Sequence, residues 1–149
     1  MSNVVVIDDS VVVRKIVEIS LGRCGIDCIS YQDGYEALKA FKTGEDYIPD
    51  LIFLDISMPK IDGYDLLRVL KTSPQFDHTT VVMLSGRDGM LDRLKSRLAG
   101  AKGYVTKPFR TQELLSIALS CLDHQPDASS HPAPHQSRGE GSSVNTKLV

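Results

Sequence analysis

The sequence predicts an α/β fold, a doubly wound (βα)5 sandwich on a parallel five-stranded sheet. Three observations carry that reading. Short, uninterrupted apolar runs rich in β-branched residues recur along the chain, as strands buried on both faces require. Between them lie segments with apolar residues at helical spacing, so strands and helices alternate; such alternation implies βαβ units with right-handed crossovers. Finally, four runs stop at polar residues of distinct chemical types. Val4-Val5-Val6-Ile7 meets Asp8-Asp9, and Leu51-Ile52-Phe53-Leu54 meets Asp55. Thr80-Val81-Val82-Met83-Leu84 meets Ser85-Gly86, and Gly103-Tyr104-Val105 meets Thr106-Lys107-Pro108. In parallel strands these ends share one edge of the sheet, where folds of this kind bind ligands.

The elements follow in order. Asn3 to Ile7 is the first strand. Ser10 offers an N-cap to a helix running to about Arg23, with Val12, Val13, Ile16, Val17 and Leu21 as its apolar stripe and Gly22 and Gly25 at its end. Ile26 to Tyr31 is a second strand. Asp33 caps a helix from Tyr35 to Lys42 that turns Ala37, Leu38 and Phe41 inward. Leu51 to Leu54 is the third strand, Pro59 to Gly63 a loop, and Tyr64 to about Thr72 a helix with Leu66, Leu67 and Leu70 apolar. Thr80 to Leu84 is a strand, a helix lies within Gly89 to Leu98, and Gly103 to Val105 is the fifth strand. The last helix runs from about Thr111, its cap, to Leu122, with Leu114, Leu115, Ala118, Leu119 and Leu122 on the apolar face.

Composition sets the limits. A chain of 149 residues with 42% hydrophobic residues fits one domain with a real core, here residues 1–123. The segment 124–149 is rich in Ser, Pro, Gly and His and poor in apolar residues, so it is expected to be a disordered polar tail. His124, His131 and His135 lie there without a Cys or acid to complete a metal site. The net charge of −2 gives no sign of a nucleic-acid partner. No apolar stretch approaches the about 20 residues needed to cross a membrane, and no secretory leader is visible, so a cytoplasmic location is expected. Cys24, Cys28 and Cys121 form no metal-type cluster and read as small hydrophobes.

Taken singly, the polar residues at the strand ends are ordinary. An Asp after a strand is a turn or cap residue, a Lys a solvated charge, and Ser-Gly a loop. Together at one edge they suggest more. Three carboxylates crowd only where a cation offsets their repulsion. Mg²⁺ prefers six oxygens and keeps several waters, so Asp8, Asp9 and Asp55 suffice, one of them acting through water. The metal would leave Asp55 free to attack phosphorus, with the Lys107 ammonium and the Ser85 hydroxyl on other oxygens of the transferred group.

The set Asp8-Asp9, Asp55 with Met58-Pro59 and Asp62-Gly63, Ser85-Gly86, and Tyr104 with Lys107-Pro108-Phe109 resembles the receiver domain of two-component response regulators over about residues 3–123. The resemblance implies a flavodoxin-like sheet of order 2-1-3-4-5. It implies that Asp55 accepts a phosphoryl group from a sensor histidine kinase or phosphotransfer protein. Asp9, Asp55 and the Ser57 backbone carbonyl would bind Mg²⁺ directly, and Asp8 through water. Ser85 matches the switch hydroxyl, Tyr104 the switch aromatic, and Lys107 the phosphate-binding lysine, with Lys107-Pro108 in cis. A bulky side chain in place of Gly86 would narrow access to Asp55. Ser57 and Arg87 match positions that tune phosphoryl lifetime. The runs from Leu84 to Gly89, Arg97 to Gly100 and Thr106 to Phe109 are similar to receivers that control type IV pili and twitching motility.

The chain beyond Leu122 is too short and polar for a DNA-binding output domain. The expected protein is therefore a stand-alone receiver that acts on a downstream protein effector. It would be a phosphoacceptor rather than an enzyme, with at most self-catalysed phosphotransfer and autodephosphorylation. Three other readings remain open: a receiver cut from a larger regulator, a phosphate-independent adaptor, and a Mg²⁺-dependent phosphatase with an Asp nucleophile. The phosphatase would need a second acid two residues after Asp55, where Ser57 stands.

Overall fold

A computed structural model describes residues 3–43, 48–86 and 89–123. Strands β1 (Asn3–Ile7), β2 (Asp27–Tyr31), β3 (Leu51–Asp55), β4 (Thr80–Ser85) and β5 (Gly103–Thr106) alternate with helices α1 (Val11–Gly22), α2 (Gly34–Thr43), α3 (Gly63–Thr72), α4 (Met90–Leu98) and α5 (Thr111–Asp123). The sheet is parallel throughout, in the order β2-β1-β3-β4-β5, as expected.

The uninterrupted apolar runs have a direct explanation, because successive strand residues point to opposite faces and both faces are covered. Val5, Ile7, Ile52, Leu54, Val81 and Met83 pack on one side with Ala37 and Phe41 of α2 and Leu66, Leu67 and Leu70 of α3. Val4, Val6, Leu51, Phe53, Val82, Leu84 and Val105 pack on the other with Val17 and Leu21 of α1 and Leu114 and Ala118 of α5. A short 3₁₀ turn, Pro74–Phe76, adds an element that the hydrophobic pattern does not signal. It drives Phe76 into the first of these layers, 5.3 Å from the Phe41 ring centre.

Helix caps fall largely where expected. The Ser10 hydroxyl accepts from Val13 N–H at 3.3 Å, and Asp33 Oδ1 accepts from Glu36 N–H at 2.8 Å. Asp62 caps α3 by accepting from Asp65 N–H at 2.9 Å. Thr111 is not a cap but the first residue of α5, whose Leu114 N–H reaches back to the Arg110 carbonyl. Two apolar stripes are narrower than the sequence spacing predicts. Val17 and Leu21 of α1 are buried, but Val12 and Ile16 are exposed, and Leu119 of α5 is exposed too. Of the cysteines, Cys24 is exposed and Cys121 buried. Burial and the nearby Glu18 charge push the Cys28 thiol up to about 12, which fits a small hydrophobe. The tail 124–149 and Arg87 lie outside the described residues.

Candidate phosphoryl and metal site

Strand register brings the polar residues together. Ile7 pairs with Leu54, so Asp8 follows β1 beside Asp55 at the end of β3. Asp55 pairs with Leu84, and Ser85 pairs with Thr106, which precedes Lys107. This edge includes the point between β1 and β3 where the strand order reverses. Backbone bonds tie the strand ends to one another. Ile56 N–H donates to the Leu84 carbonyl at 3.0 Å, and Lys107 N–H to the Ser85 carbonyl at 2.6 Å.

Asp8 and Asp55 are buried and Asp9 is exposed. Each of the three can place one carboxylate oxygen within 4.8 Å of the others. The Lys107 ammonium lies between the two buried acids, 2.6 Å from Asp8 Oδ2 and 3.3 Å from Asp55 Oδ1. Asp8 Oδ1 accepts from Ser10 N–H at 2.9 Å, and Asp55 Oδ1 from Ser57 N–H at 3.1 Å. Burial, then the Asp8 charge, pushes the Asp55 carboxyl up to about 6; a hydrogen bond with Asp9 adds to this, while Lys107 and the Ser57 N–H oppose it. Burial works against the Lys107 charge, but the hydrogen bond to Asp8 and the two carboxylate charges outweigh it, so its pKa stands above the ordinary value.

The donor set suits a hard divalent cation. Three carboxylates within reach of one point supply the charge, and the exposed Asp9 leaves one side open to water. Both oxygens of Asp8 already hold hydrogen bonds, from Ser10 N–H and Lys107. That arrangement fits a part played through water better than direct ligation. The structure thus brings together Asp8, Asp9, Asp55, Ser57, Ser85 and Lys107 at one edge. Tyr104 stands apart on β5, half-buried, opposite Met83 of β4, with the Arg93 guanidinium 4.9 Å from its ring centre. Lys107-Pro108 is cis. A Cβ on Gly86 would meet no atom within 4 Å, so the space over it is open.

Two further residues contribute to the site. Arg14 Nη1 donates to the Asp8 main-chain carbonyl at 2.7 Å, pinning the turn that carries both leading acids. Its position at the end of the first turn of α1, four residues after the Ser10 cap, is the signal the sequence offers. In the sequence Asp62-Gly63 signals only a turn. A Cβ there would lie 2.3 Å from the Asp55 carbonyl oxygen and 2.7 Å from Ile56 Cα, so only glycine lets α3 begin against the end of β3.

Residues 4–119 match the response regulator receiver domain family, and the chain belongs to that family. It is 43% identical over 112 residues to the protein PilG of Pseudomonas aeruginosa, a match covering 75% of this chain and 81% of that one. This likeness agrees with a receiver of the chemotaxis and pilus type. A probable transcriptional regulator, ycf27 of Porphyridium aerugineum, is 37% identical over 128 residues, but the chain spans only 51% of its length. Among solved structures, the chemotaxis response regulator CheY4 of Vibrio cholerae superposes with a TM-score of 0.73 at 26% identity, over 81% of this chain and 98% of that one. The BeF3-activated DrrB receiver domain superposes with a TM-score of 0.73 at 27% identity, over 83% and 98%. Among the described residues no helix is long and apolar enough to cross a membrane.

Proposed function

We propose that Asp55 accepts a phosphoryl group from a phosphohistidine on a sensor kinase or phosphotransfer protein, and that the protein then signals to an effector protein. The observation that carries this is the Lys107 ammonium held between the buried carboxylates of Asp8 and Asp55, with Asp9 alongside. A buried cluster of like charges is costly for a pure adaptor and useful for a phosphoacceptor. Asp9, Asp55 and the Ser57 carbonyl are the residues that would hold Mg²⁺, with Asp8 acting through water. Bound there, the ion would offset the negative charge of the acids and of the incoming phosphoryl group.

The chain's own groups do the rest. Asp55 Oδ1 is oriented by Ser57 N–H and Lys107, so Oδ2 is assigned the attack on phosphorus. The P–O bond forms as the P–N bond to the donor imidazole breaks, and the imidazole takes up a proton. Lys107 then shifts part of its hydrogen bonding from Asp55 to the phosphoryl oxygens. Ser85 turns its hydroxyl toward them, and Tyr104 moves into the space released. The result is a population shift set by contacts made only with the phosphoryl group. Control of motility through that effector is part of the same proposal, and the resemblance of the runs from Leu84 to Gly89, Arg97 to Gly100 and Thr106 to Phe109 to receivers of type IV pilus systems supports it.

Residues 1–123 are the receiver in this reading, and 124–149 a polar tail. The chain spans only 51% and 47% of two longer relatives, which favours a second reading, in which it is a receiver cut from a larger regulator. Incubation with a small phosphodonor and Mg²⁺, followed by intact mass, tests the proposal. One phosphoryl addition is expected, lost in Asp55→Asn and without Mg²⁺. Addition that survives Asp55→Asn would sink it.

A further inference from the structure

Helix α4 is held to the molecule almost without apolar packing. Its buried residue is Ser96, while Met90, Leu91, Leu94 and Leu98 face outward, Met90 at 86% exposure and Leu91 at 81%. Gly89 at its N-cap provides no side-chain hydrogen bond. Two tyrosines flank it instead, each with a basic α4 side chain over its ring. The Arg93 guanidinium lies 4.9 Å from the ring centre of Tyr104 on β5, and Lys95 Nζ lies 4.2 Å from that of Tyr64 on α3. Tyr64 is buried, and its hydroxyl shares its one proton between the main-chain carbonyl and Oδ1 of Asp92, at 3.3 Å each.

Tyr64 also has a privileged neighbour. Gly63 is seated on the backbone of Asp55 and Ile56 so closely that a Cβ would lie 2.3 Å from the Asp55 carbonyl oxygen, and its N–H donates to the Ile56 carbonyl at 2.8 Å. Two consecutive residues therefore touch the backbone of the acceptor and the side of α4. A backbone adjustment at Asp55 is passed to Gly63 by this close approach and by the Gly63 N–H bond to the Ile56 carbonyl.

We infer that Tyr64 is a positioning residue that ties α4 to the Asp55 backbone through the first turn of α3, so that phosphoryl occupancy shifts α4 by this route as well as through Tyr104. The inference rests on the assignment of Asp55 as acceptor. The contacts that hold α4 are individually weak, so a small differential strain redistributes its populations. Coupling is reciprocal: loosening α4 changes its response to a ligand at Asp55.

Hydrogen exchange on the full chain tests this, comparing the natural protein with Tyr64→Phe and Lys95→Met. The first keeps the ring and removes the hydroxyl; the second removes the cation from an exposed side chain and keeps the stem, so it carries the test should the buried variant fold poorly. Each is measured free and with beryllofluoride plus Mg²⁺. In the free proteins, amides of residues 90–98 are expected to exchange several-fold faster in both variants, with β1 and β3 unchanged. With beryllofluoride, the change in α4 exchange seen in the natural protein should shrink by at least half in the variants. Exchange and response equal to the natural protein in both variants would overturn the inference. If the natural protein shows no response to beryllofluoride, the acceptor assignment and the coupling both fail. Unchanged α4 exchange in the free variants overturns the tether alone.

Discussion

Asp55 carries an electrostatic load that can be measured without any phosphodonor. Its folded-state pKa of about 6 exceeds the ordinary carboxylate value of 3.8, so the folded protein binds this proton more tightly than the unfolded chain does. The ionised carboxyl therefore destabilises the metal-free fold above pH ~6, and the penalty fades as pH falls toward ~4. Asp55→Asn, a neutral isostere that still accepts from Ser57 N–H, is expected to stabilise the metal-free protein by about 1–2 kcal/mol at pH 7.5. In thermal melts that gain should vanish near pH 4; a gain independent of pH would mean that charge is not its cause. Lys107 has the opposite role. Lys107→Met leaves Asp8 buried without its cation, at a cost of about 3 kcal/mol in metal-free urea denaturation. Added Mg²⁺ should recover more stability in this variant than in the natural protein. At this scale the sequence was informative wherever a residue ends an apolar run: Asp8, Asp55, Ser85 and Lys107 are placed by strand register alone. Arg14 and Tyr64 were not legible, because their contacts depend on how a helix is rotated against its neighbours.

Among the elements, α3 is the one whose placement the site depends on most. Gly63→Ala drives a methyl group into the Asp55 carbonyl, and neither backbone can yield cheaply. A loss of about 2 kcal/mol or more is expected, with slower phosphoryl acceptance as β3 and α3 separate. Unaltered urea midpoint and acceptance rate would show that α3 does not brace Asp55. Helix α1 gives the complementary case. Its apolar residues outnumber those the sheet can cover, so Val12 and Ile16 stay exposed, Val12 at 67%. Val12→Ser should change stability by less than about 0.5 kcal/mol, as read by a thermal melt. The helix was legible from Ser10 and its spacing, but not which third of its surface faces inward. A helix apolar on more than one side does not mark its own orientation, and α5 repeats the ambiguity at Leu119.

For the molecule as a whole, sheet topology does the work of gathering the site. Asp8 and Lys107 are 99 residues apart and meet at 2.6 Å only because β1, β3, β4 and β5 run parallel and end together. This was legible early, since alternation of strands and helices admits few topologies. What no strand pattern conveys is which surface a partner reads. The central claim is that Asp55, rather than another acid of the cluster, carries the phosphoryl group. It is tested most directly by phosphorylating the protein, reducing the acyl phosphate with borohydride, and sequencing the digested peptides by mass spectrometry. The account predicts homoserine at position 55 alone. Homoserine at Asp8 or Asp9, or none after confirmed phosphorylation, would contradict it.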